Sequence, residues 1–550
     1  MNYLIKTKQM KFIKPIFSTF LTAIFLTGCG STAILQTQVE NIDNIPIKVS
    51  ELSENELKEW SHMDLIKDTV PGMSVERAYT EILKRKKGKT VIVGVVDSGV
   101  DIFHEDLKDV IWTNPKEKAN NGIDDDKNGY VDDIHGWNFL GNIKQENLEY
   151  VRILKKGDAG SAVYKKAKAE FTNEYADATE AKSRYEQILQ AVNNADEVLK
   201  KHFKKDTYTK EEVTKLKPTD QELVQSVEVM KYMFSINETV PEIKKNIKDG
   251  IDHFTDKLNY HLNIEFDGRA VLGDNPDDMN DTNYGDNNVV GPSKEDAKHG
   301  THVAGIIAAK RDNEIGMNGV ANNVEIMAIR AVPNGDEYDK DVALAIRYAA
   351  DNGAKIINTS FGKYYSPHSD WVRDAIKYAA SKDVLIVNAA GNEAVDLDTK
   401  DVFPNDAIGI GPEVSDNFLS VGALNFKYGS ELIANFSNYG KINVDVFAPG
   451  TKIWSTTPDN KYESLGGTSM ASPGVAGVAA LIRSYYPDLT APQVKKIIMQ
   501  SGLESKSNVI LGGDASRKQS FADISKSGKM VNAYNALILA DKVSRGEYNL

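Results

Sequence analysis

Only one cysteine, Cys29, occurs in the 550 residues. No intramolecular disulfide can form, so burial, hydrogen bonding and metal binding are the sources of stability open to the chain. Stripes of Lys and Arg interleaved with aromatic residues are also missing, and the formal net charge is −13. That balance argues against nucleic acid as a partner. A membrane-spanning helix needs roughly 20 consecutive apolar residues, and the apolar stretch at residues 16–26 falls well short.

What is present is a set of three short segments far apart in the chain. They are Val95-Val96-Asp97-Ser98-Gly99, His299-Gly300-Thr301-His302-Val303-Ala304-Gly305 and Gly467-Thr468-Ser469-Met470-Ala471-Ser472-Pro473. Together they offer an acid, a base and a nucleophile. A serine hydroxyl is a poor nucleophile until an imidazole takes its proton. The imidazole in turn needs a carboxylate to fix its tautomer. Asp97 ends the β-branched run 91–96, expected to be a strand buried on both faces. Ser469 stands at the start of a small-residue helix pattern, where free N–H groups and the positive dipole end face outward. Gly300 and Gly305 weaken a helix relative to alanine, which makes sense if another backbone packs close. Alone, Asp-Ser-Gly reads as a turn and Gly-Thr-Ser as a helix cap; the combination is what points to catalysis.

An oxyanion needs a second donor besides the nucleophile's own N–H. Asn392 follows the buried run 384–388 and Ala389-Ala390-Gly391, and its amide can donate. His302, three residues after His299, lacks the Glu and the i+4 spacing of a zinc-protease helix, and reads as a structural neighbour. Ser469 also lacks the Gly-x-Ser-x-Gly setting of a lipase-type nucleophile.

The order Asp, His, Asn, Ser and these four motifs resemble the subtilisin-like serine proteases, the subtilase family. Asn358-Thr359-Ser360-Phe361-Gly362 resembles the family's substrate-binding strand, and Phe447-Ala448-Pro449-Gly450 a later turn. The resemblance implies an α/β, three-layer fold with a mostly parallel central sheet, here carrying an α-helical insertion. It also implies a peptide-bond hydrolase acting on protein or peptide substrates through an acyl-enzyme intermediate. Asp97 would orient His299, Ser469 would attack, and Asn392 with the Ser469 N–H would hold the oxyanion. Ser360, Phe361, Gly362, Ala389, Ala390 and Gly391 would line the S1 cleft. Phe361 stands where relatives more often have Leu or Trp, and Gly474 where they usually have His. The competing expectation is a catalytically silent envelope module that binds peptides or partners on the same fold. The pattern fixes no oligomeric state.

Lys6, Lys8, Lys11 and Lys14 precede the apolar stretch, as in an export signal. Leu26-Thr27-Gly28-Cys29 resembles the lipobox of bacterial lipoproteins, where the cysteine carries lipid. Residues 1–28 are thus expected as a lipoprotein signal peptide and Cys29 as the lipidation site, holding the protein at a membrane of the cell envelope. The alternative is an ordinary signal-peptidase site. Residues 29–70, polar and poor in pattern, are expected as a tether or short pro-region. The peptidase domain is expected over 71–142 and 266–545. Within it the spacing predicts strands at 90–96, 324–331, 355–359 and 384–388. Helices are predicted at 299–310, 338–351, 369–381, 471–485, 491–502 and 529–543.

Residues 143–265 differ in composition, being rich in Lys, Glu, Ala and Asn. Apolar residues recur at helical spacing from Phe171 to Phe203, from Leu223 to Phe234 and from Ile243 to Leu258, and Thr209-Lys210-Glu211-Glu212 fits a capping box. A three-helix arm is expected, its stripes packing on one another; a sharper possibility is that the arm covers the cleft and limits substrate entry.

Asn121 to Asp133 resembles a calcium loop. Asp124, Asp126, Asn128, Tyr130 (through its carbonyl) and Asp132 stand at EF-hand-type positions, with Gly129 at the turn. His135 replaces the usual bidentate Glu, and Asp133 is a candidate substitute. Structural Ca2+ is the expected cofactor, with an Asx-turn loop as the alternative. A second acidic stretch, 273–288, has no recognisable ligand spacing and reads as a solvated, turn-rich loop before His299, with a second calcium site bordering the active site as the alternative.

Overall fold

A computed structural model describes residues 51–550 except Arg85 and Ala159. The expected signal segment and Cys29 lie outside the described residues. Thirteen strands occur among them: β1 Val91–Asp97, β2 Gly136–Asn138, β3 Val324–Arg330, β4 Ile356–Thr359, β5 Leu385–Ala389, β6 Phe418–Leu424, β7 Val446–Pro449, β8 Ile453–Thr457, β9 Lys461–Leu465, β10 Leu503–Glu504, β11 Asn508–Ile510, β12 Lys518–Ser520 and β13 Lys529–Met530. Nine form one sheet in the order β10-β13-β7-β6-β5-β4-β1-β3-β2. All neighbours in it are parallel except β10 with β13. β8–β9 and β11–β12 are separate antiparallel pairs.

The register decides where the chemistry sits. Val96 faces Thr359 across β1–β4, and Thr359 faces Asn388 across β4–β5. One residue further on, Asp97, Ser360 and Ala389 therefore leave the sheet side by side at its carboxyl edge. β1 has β3 on one side and β4 on the other, so the chain's progression reverses there. Such a reversal leaves a crevice at the carboxyl ends of parallel strands.

At the N-terminal end of the described chain, α1 (Glu54–Glu59) opens with a capping box between Ser53 and Glu56, and α2 (Val75–Arg77) runs on into a π-type turn at Ala78–Leu83. Residues 51–70 are therefore not a loose tether. Trp60 is 1% exposed and donates from Nε1 to the Thr451 carbonyl at 3.0 Å; Val70 and Met73 join the same core. The burial of Trp60 outweighs the polar composition around it.

The insertion contains α3 Glu149–Lys156, α4 Ala162–Phe203, α5 Lys210–Lys215, α6 Gln221–Phe234 and α7 Val240–Asp256. The three expected stripes are α4, α6 and α7, and the Thr209–Glu212 capping box is formed as expected. Val192 and Leu199 of α4 pack with Val227, Met230 and Phe234 of α6 and with Ile243 and Ile247 of α7. The arm thus has its own small core.

The remaining helices are α8 Lys298–Ala308, α9 Asp339–Asp351, α10 Ser369–Ser381, α11 Thr468–Tyr485, α12 Ala491–Ser501 and α13 Ala533–Ser544. α8, α11, α12 and α13 cover one sheet face, packing on Val91, Val93 and Val95. α9 and α10 cover the other, around Val96, Met327 and Ile329. This is the expected three-layer α/β arrangement. Each fully buried Val or Ile of these strands contributes roughly 1.5–3 kcal/mol. No helix among the described residues is long and apolar enough to cross a membrane.

Candidate active site

Asp97 is the last residue of β1 and 1% exposed. Its Oδ1 accepts from the Ser98 N–H at 2.7 Å and lies 2.7 Å from His299 Nδ1. Its Oδ2 is buried without a hydrogen-bond partner among the described residues. His299 sits in the first turn of α8 with its side chain 39% exposed. The turn reaches Asp97 because Gly300 has no side chain: a Cβ there would lie 2.1 Å from the Gly99 carbonyl oxygen. Burial works to lower the His299 pKa, but the Asp97 charge and hydrogen bond outweigh it, leaving the pKa above the ordinary 6.5. The ring's Nε2 is left as the nitrogen not engaged by Asp97.

His302 lies one turn further along and is buried. Its Nε2 is 3.1 Å from the Glu463 carbonyl oxygen. Burial pushes its pKa down to about 3, so it is neutral in the ordinary pH range, a packed neighbour as expected.

Ser469 is the second residue of α11, and its hydroxyl donates to the Ser360 carbonyl at 3.1 Å. Pro473, four residues on, has no N–H for the Ser469 carbonyl. That carbonyl instead accepts from the Ser360 hydroxyl at 2.9 Å. Asn392 Oδ1 accepts from Thr468 N–H at 2.8 Å and from Thr468 Oγ1 at 3.0 Å. The amide is thereby oriented with Nδ2 left to donate. A Cβ built on Gly467 would lie 3.6 Å from both Asn392 Nδ2 and Ser469 N. The two donors thus flank a common point beside the serine.

Beyond the paired Thr359 and Asn388, the segments 360–362 and 389–391 form two walls. Val402 and Phe403 add a third side: Lys363 and Phe403 exchange backbone hydrogen bonds at 2.9 Å, and a Cβ on Gly362 would meet Val402 at 3.1 Å. A cavity behind Ala389 and Ala390 is lined by apolar Leu397, Val402 and Phe418 and by polar Asp401, Asn405 and Asp406; Ser360, Phe361 and Gly362 do not line it. Phe361 packs against the apolar cluster on the α9–α10 face.

The root of the insertion is fastened next to the first wall. Lys363, buried, reaches Glu149 of α3 at 2.8 Å and Asp339 at 2.9 Å. Burial alone would raise the Glu149 pKa, but Arg152 and Lys363 hold it down to about 2. Tyr365 donates to Glu170 of α4 at 2.6 Å.

At the expected calcium loop, carboxylate oxygens of Asp124, Asp126 and Glu117 lie within 4.8 Å of one another. Glu117 lies outside the 121–133 motif and precedes it in the chain. Asn128 accepts from the Tyr130 N–H at 2.8 Å, and the Tyr130 ring packs on Trp137 and Tyr348. Asp132 accepts from the backbone of Asn121 and Gly122 at 3.1 and 2.8 Å. Asp133 does not join the cluster. It is buried and accepts from Asn114 at 2.9 Å, Asn128 at 3.0 Å and Tyr348 at 2.6 Å, anchoring the loop to the domain. In the second acidic stretch, Asp274 is neutralised by Arg269 and Lys340, each at 2.8 Å.

Comparison with known proteins bears on the family of the chain. Residues 88–522 match the Subtilase family, Peptidase_S8. The chain is 44% identical over 187 residues to a thermophilic serine proteinase of Bacillus sp. (strain AK1), covering 34% of this chain and 42% of that protein. It is 40% identical over 198 residues to subtilisin DY of Bacillus licheniformis, covering 36% of this chain and 67% of the relative. With thermitase of Thermoactinomyces vulgaris it shares 40% identity over 188 residues, covering 34% of this chain and 61% of the relative. The chain thus spans less than half the length of the first of these relatives and close to two thirds of the other two. On the extent of the family match, the chain belongs to the subtilase family.

Proposed function

We propose that the chain is a serine endopeptidase working through an acyl-enzyme intermediate. The observation that carries this reading is the 2.7 Å contact between Asp97 and His299 at the sheet edge where Ser469 and Asn392 also lie. Asp97 holds Nδ1, so His299 Nε2 takes the Ser469 proton. This requires the hydroxyl to turn from the Ser360 carbonyl toward the imidazole. Ser469 Oγ bonds to the scissile carbonyl carbon, and the resulting oxyanion accepts from Asn392 Nδ2 and the Ser469 N–H. Collapse expels the amine, which receives the proton from His299. Water then attacks the ester with His299 again as base, releasing the acid and restoring the serine. Protein or peptide substrates lie between the walls 360–362 and 389–391. Purified protein tested on peptide and casein substrates should cleave both, and His299→Ala should abolish cleavage. Cleavage that survives His299→Ala would refute the reading.

A structural Ca2+ ion fits the cluster of Glu117, Asp124 and Asp126. Three carboxylates so close repel one another, and Glu117 Oε2 is buried without a partner among the described residues. An ion bound there would cancel the repulsion and fix the loop. Calcium titration of the metal-stripped protein by calorimetry tests this; no heat of binding in the micromolar to millimolar range would end the assignment.

Export and lipidation at Cys29 remain the reading of the sequence segment 1–29. Metabolic labelling with a fatty acid should mark the wild-type protein and not Cys29→Ser; equal labelling of both would refute a lipid anchor at this residue.

A further inference from the structure

Segment 390–395, which carries Asn392, lies beyond the end of β5 and belongs to no helix or strand. Four of its backbone groups pair with one residue elsewhere, Asn438, which is fully buried; Thr468 Oγ1, Glu393 Oε2 and the Val421 and Phe436 carbonyls take the remaining N–H groups. Asn438 Oδ1 accepts from the Glu393 and Val395 N–H groups at 3.1 and 3.0 Å. Its Nδ2 donates to the Ala390 carbonyl at 2.9 Å and to Glu393 Oε2 at 3.0 Å. Its own N–H donates to the Gly391 carbonyl at 3.0 Å. An asparagine amide has two donor hydrogens and two acceptor sites, and all four are used on this one turn. Gly391, with φ +104°, leaves the room: a Cβ there would lie 2.4 Å from Asn438 Nδ2. On the outer side, Glu393 Oε2 accepts from the Asn392 N–H at 2.9 Å and from the Tyr364 hydroxyl, whose chain comes from the opposite wall.

We infer that Asn438 is a positioning residue for the oxyanion donor, its buried amide setting the turn that aims Asn392, with Glu393 and Tyr364 bracing that turn from outside. The inference rests on the role proposed for Asn392. A donor must stand about 2.7–3.1 Å from the developing oxyanion, and a misplacement of about 1 Å can cost about 10²-fold in rate. Thr468 fixes the Asn392 side chain and takes the Gly391 N–H at 3.0 Å, while the backbone on the far side of Asn392, at Glu393 and Val395, is held by Asn438. Asn438 does so without touching substrate.

A double-mutant cycle on the full chain with a peptide substrate tests this. Asn392→Ala should lower kcat by about 10²–10³-fold. Asn438→Ala should lower kcat by at least about tenfold with KM within about twofold, because only a transition-state contact is lost. In the Asn392→Ala background, Asn438→Ala should change kcat by less than about twofold, since the donor it positions is gone. An equal loss in both backgrounds, or a change in KM alone, would overturn the inference while leaving the Asn392 assignment intact. No loss from Asn392→Ala would instead overturn that assignment and the inference with it. If Asn438→Ala does not fold, Glu393→Ala, at an exposed side chain on the same turn, carries the same cycle with the same expected coupling.

Discussion

Ser360 and Ser469 exchange hydrogen bonds: each hydroxyl donates to the other residue's carbonyl, at 2.9 Å and 3.1 Å. The exchange ties the end of β4 to the first turn of α11. The Ser469 carbonyl is open to the Ser360 hydroxyl because Pro473 has no N–H to take it. Ser360 thus does more than line a wall. Ser360→Ala leaves that carbonyl without its partner, so a destabilisation of about 1–3 kcal/mol is expected. Urea unfolding measures it. A change below a few tenths of a kcal/mol would show that the tie contributes nothing.

The pH dependences of activity and of stability should run in opposite directions around His299. Its folded pKa is raised above the ordinary 6.5. As base it must be neutral, so kcat/KM should fall as pH drops through that raised value. The pairing with Asp97 favours the charged ring, so its contribution to stability is complete below the unfolded value and is lost as pH rises through the folded one. His299→Gln should remove both effects. A pH–rate profile flat down to pH 4 would contradict the assignment.

Lys363 is expected to be the residue that holds the insertion to the peptidase domain. It is buried among Glu149, Asp339 and the Glu337 carbonyl. Lys363→Met leaves buried acidic groups short of a cation, and losing one partner of such a cluster costs about 3–5 kcal/mol. The variant should unfold at lower denaturant and show faster proteolysis near residue 157, where α3 ends in a left-handed glycine. Unchanged unfolding would place the anchorage elsewhere.

Metal removal gives a separable prediction. With calcium at 100 times its dissociation constant, the ion adds about 2.7 kcal/mol. Chelation should therefore lower the melting temperature of wild type, and Asp126→Asn should both lower the starting value and shrink the response. An equal response in wild type and variant would move the calcium to another place.

Much of this site could be read from the chain because its chemistry sits in short contiguous motifs beside strong local signals. The β-branched run 91–96 announces β1, and Asp97 follows directly. Other parts had no local signal. Phe418–Leu424 is fully buried, yet Ser420 and Gly422 interrupt its apolar pattern. β2, β10 and β13 are two or three residues long and exist only through pairing. Glu117 joins Asp124 and Asp126 across a loop, so spacing inside the motif could not reveal it. Asp133 is acidic and adjacent to the motif, but its place outside the Glu117–Asp124–Asp126 cluster, among three hydrogen-bond donors, depends on Asn114 and Tyr348 from elsewhere in the chain. Ser53 and Glu56 did carry a capping signal that the polar surroundings of residues 51–70 concealed. Asn438, in Phe436-Ser437-Asn438-Tyr439-Gly440, reads as an ordinary turn residue until its four amide hydrogen bonds are seen.

Treating the purified protein with a fluorophosphonate and mapping the adduct by mass spectrometry decides whether Ser469 is the nucleophile. One adduct is expected, on the peptide containing Ser469, absent in Ser469→Ala and strongly slowed in His299→Ala. Intact, folded protein that takes up no label, or takes it up equally in Ser469→Ala, would contradict it.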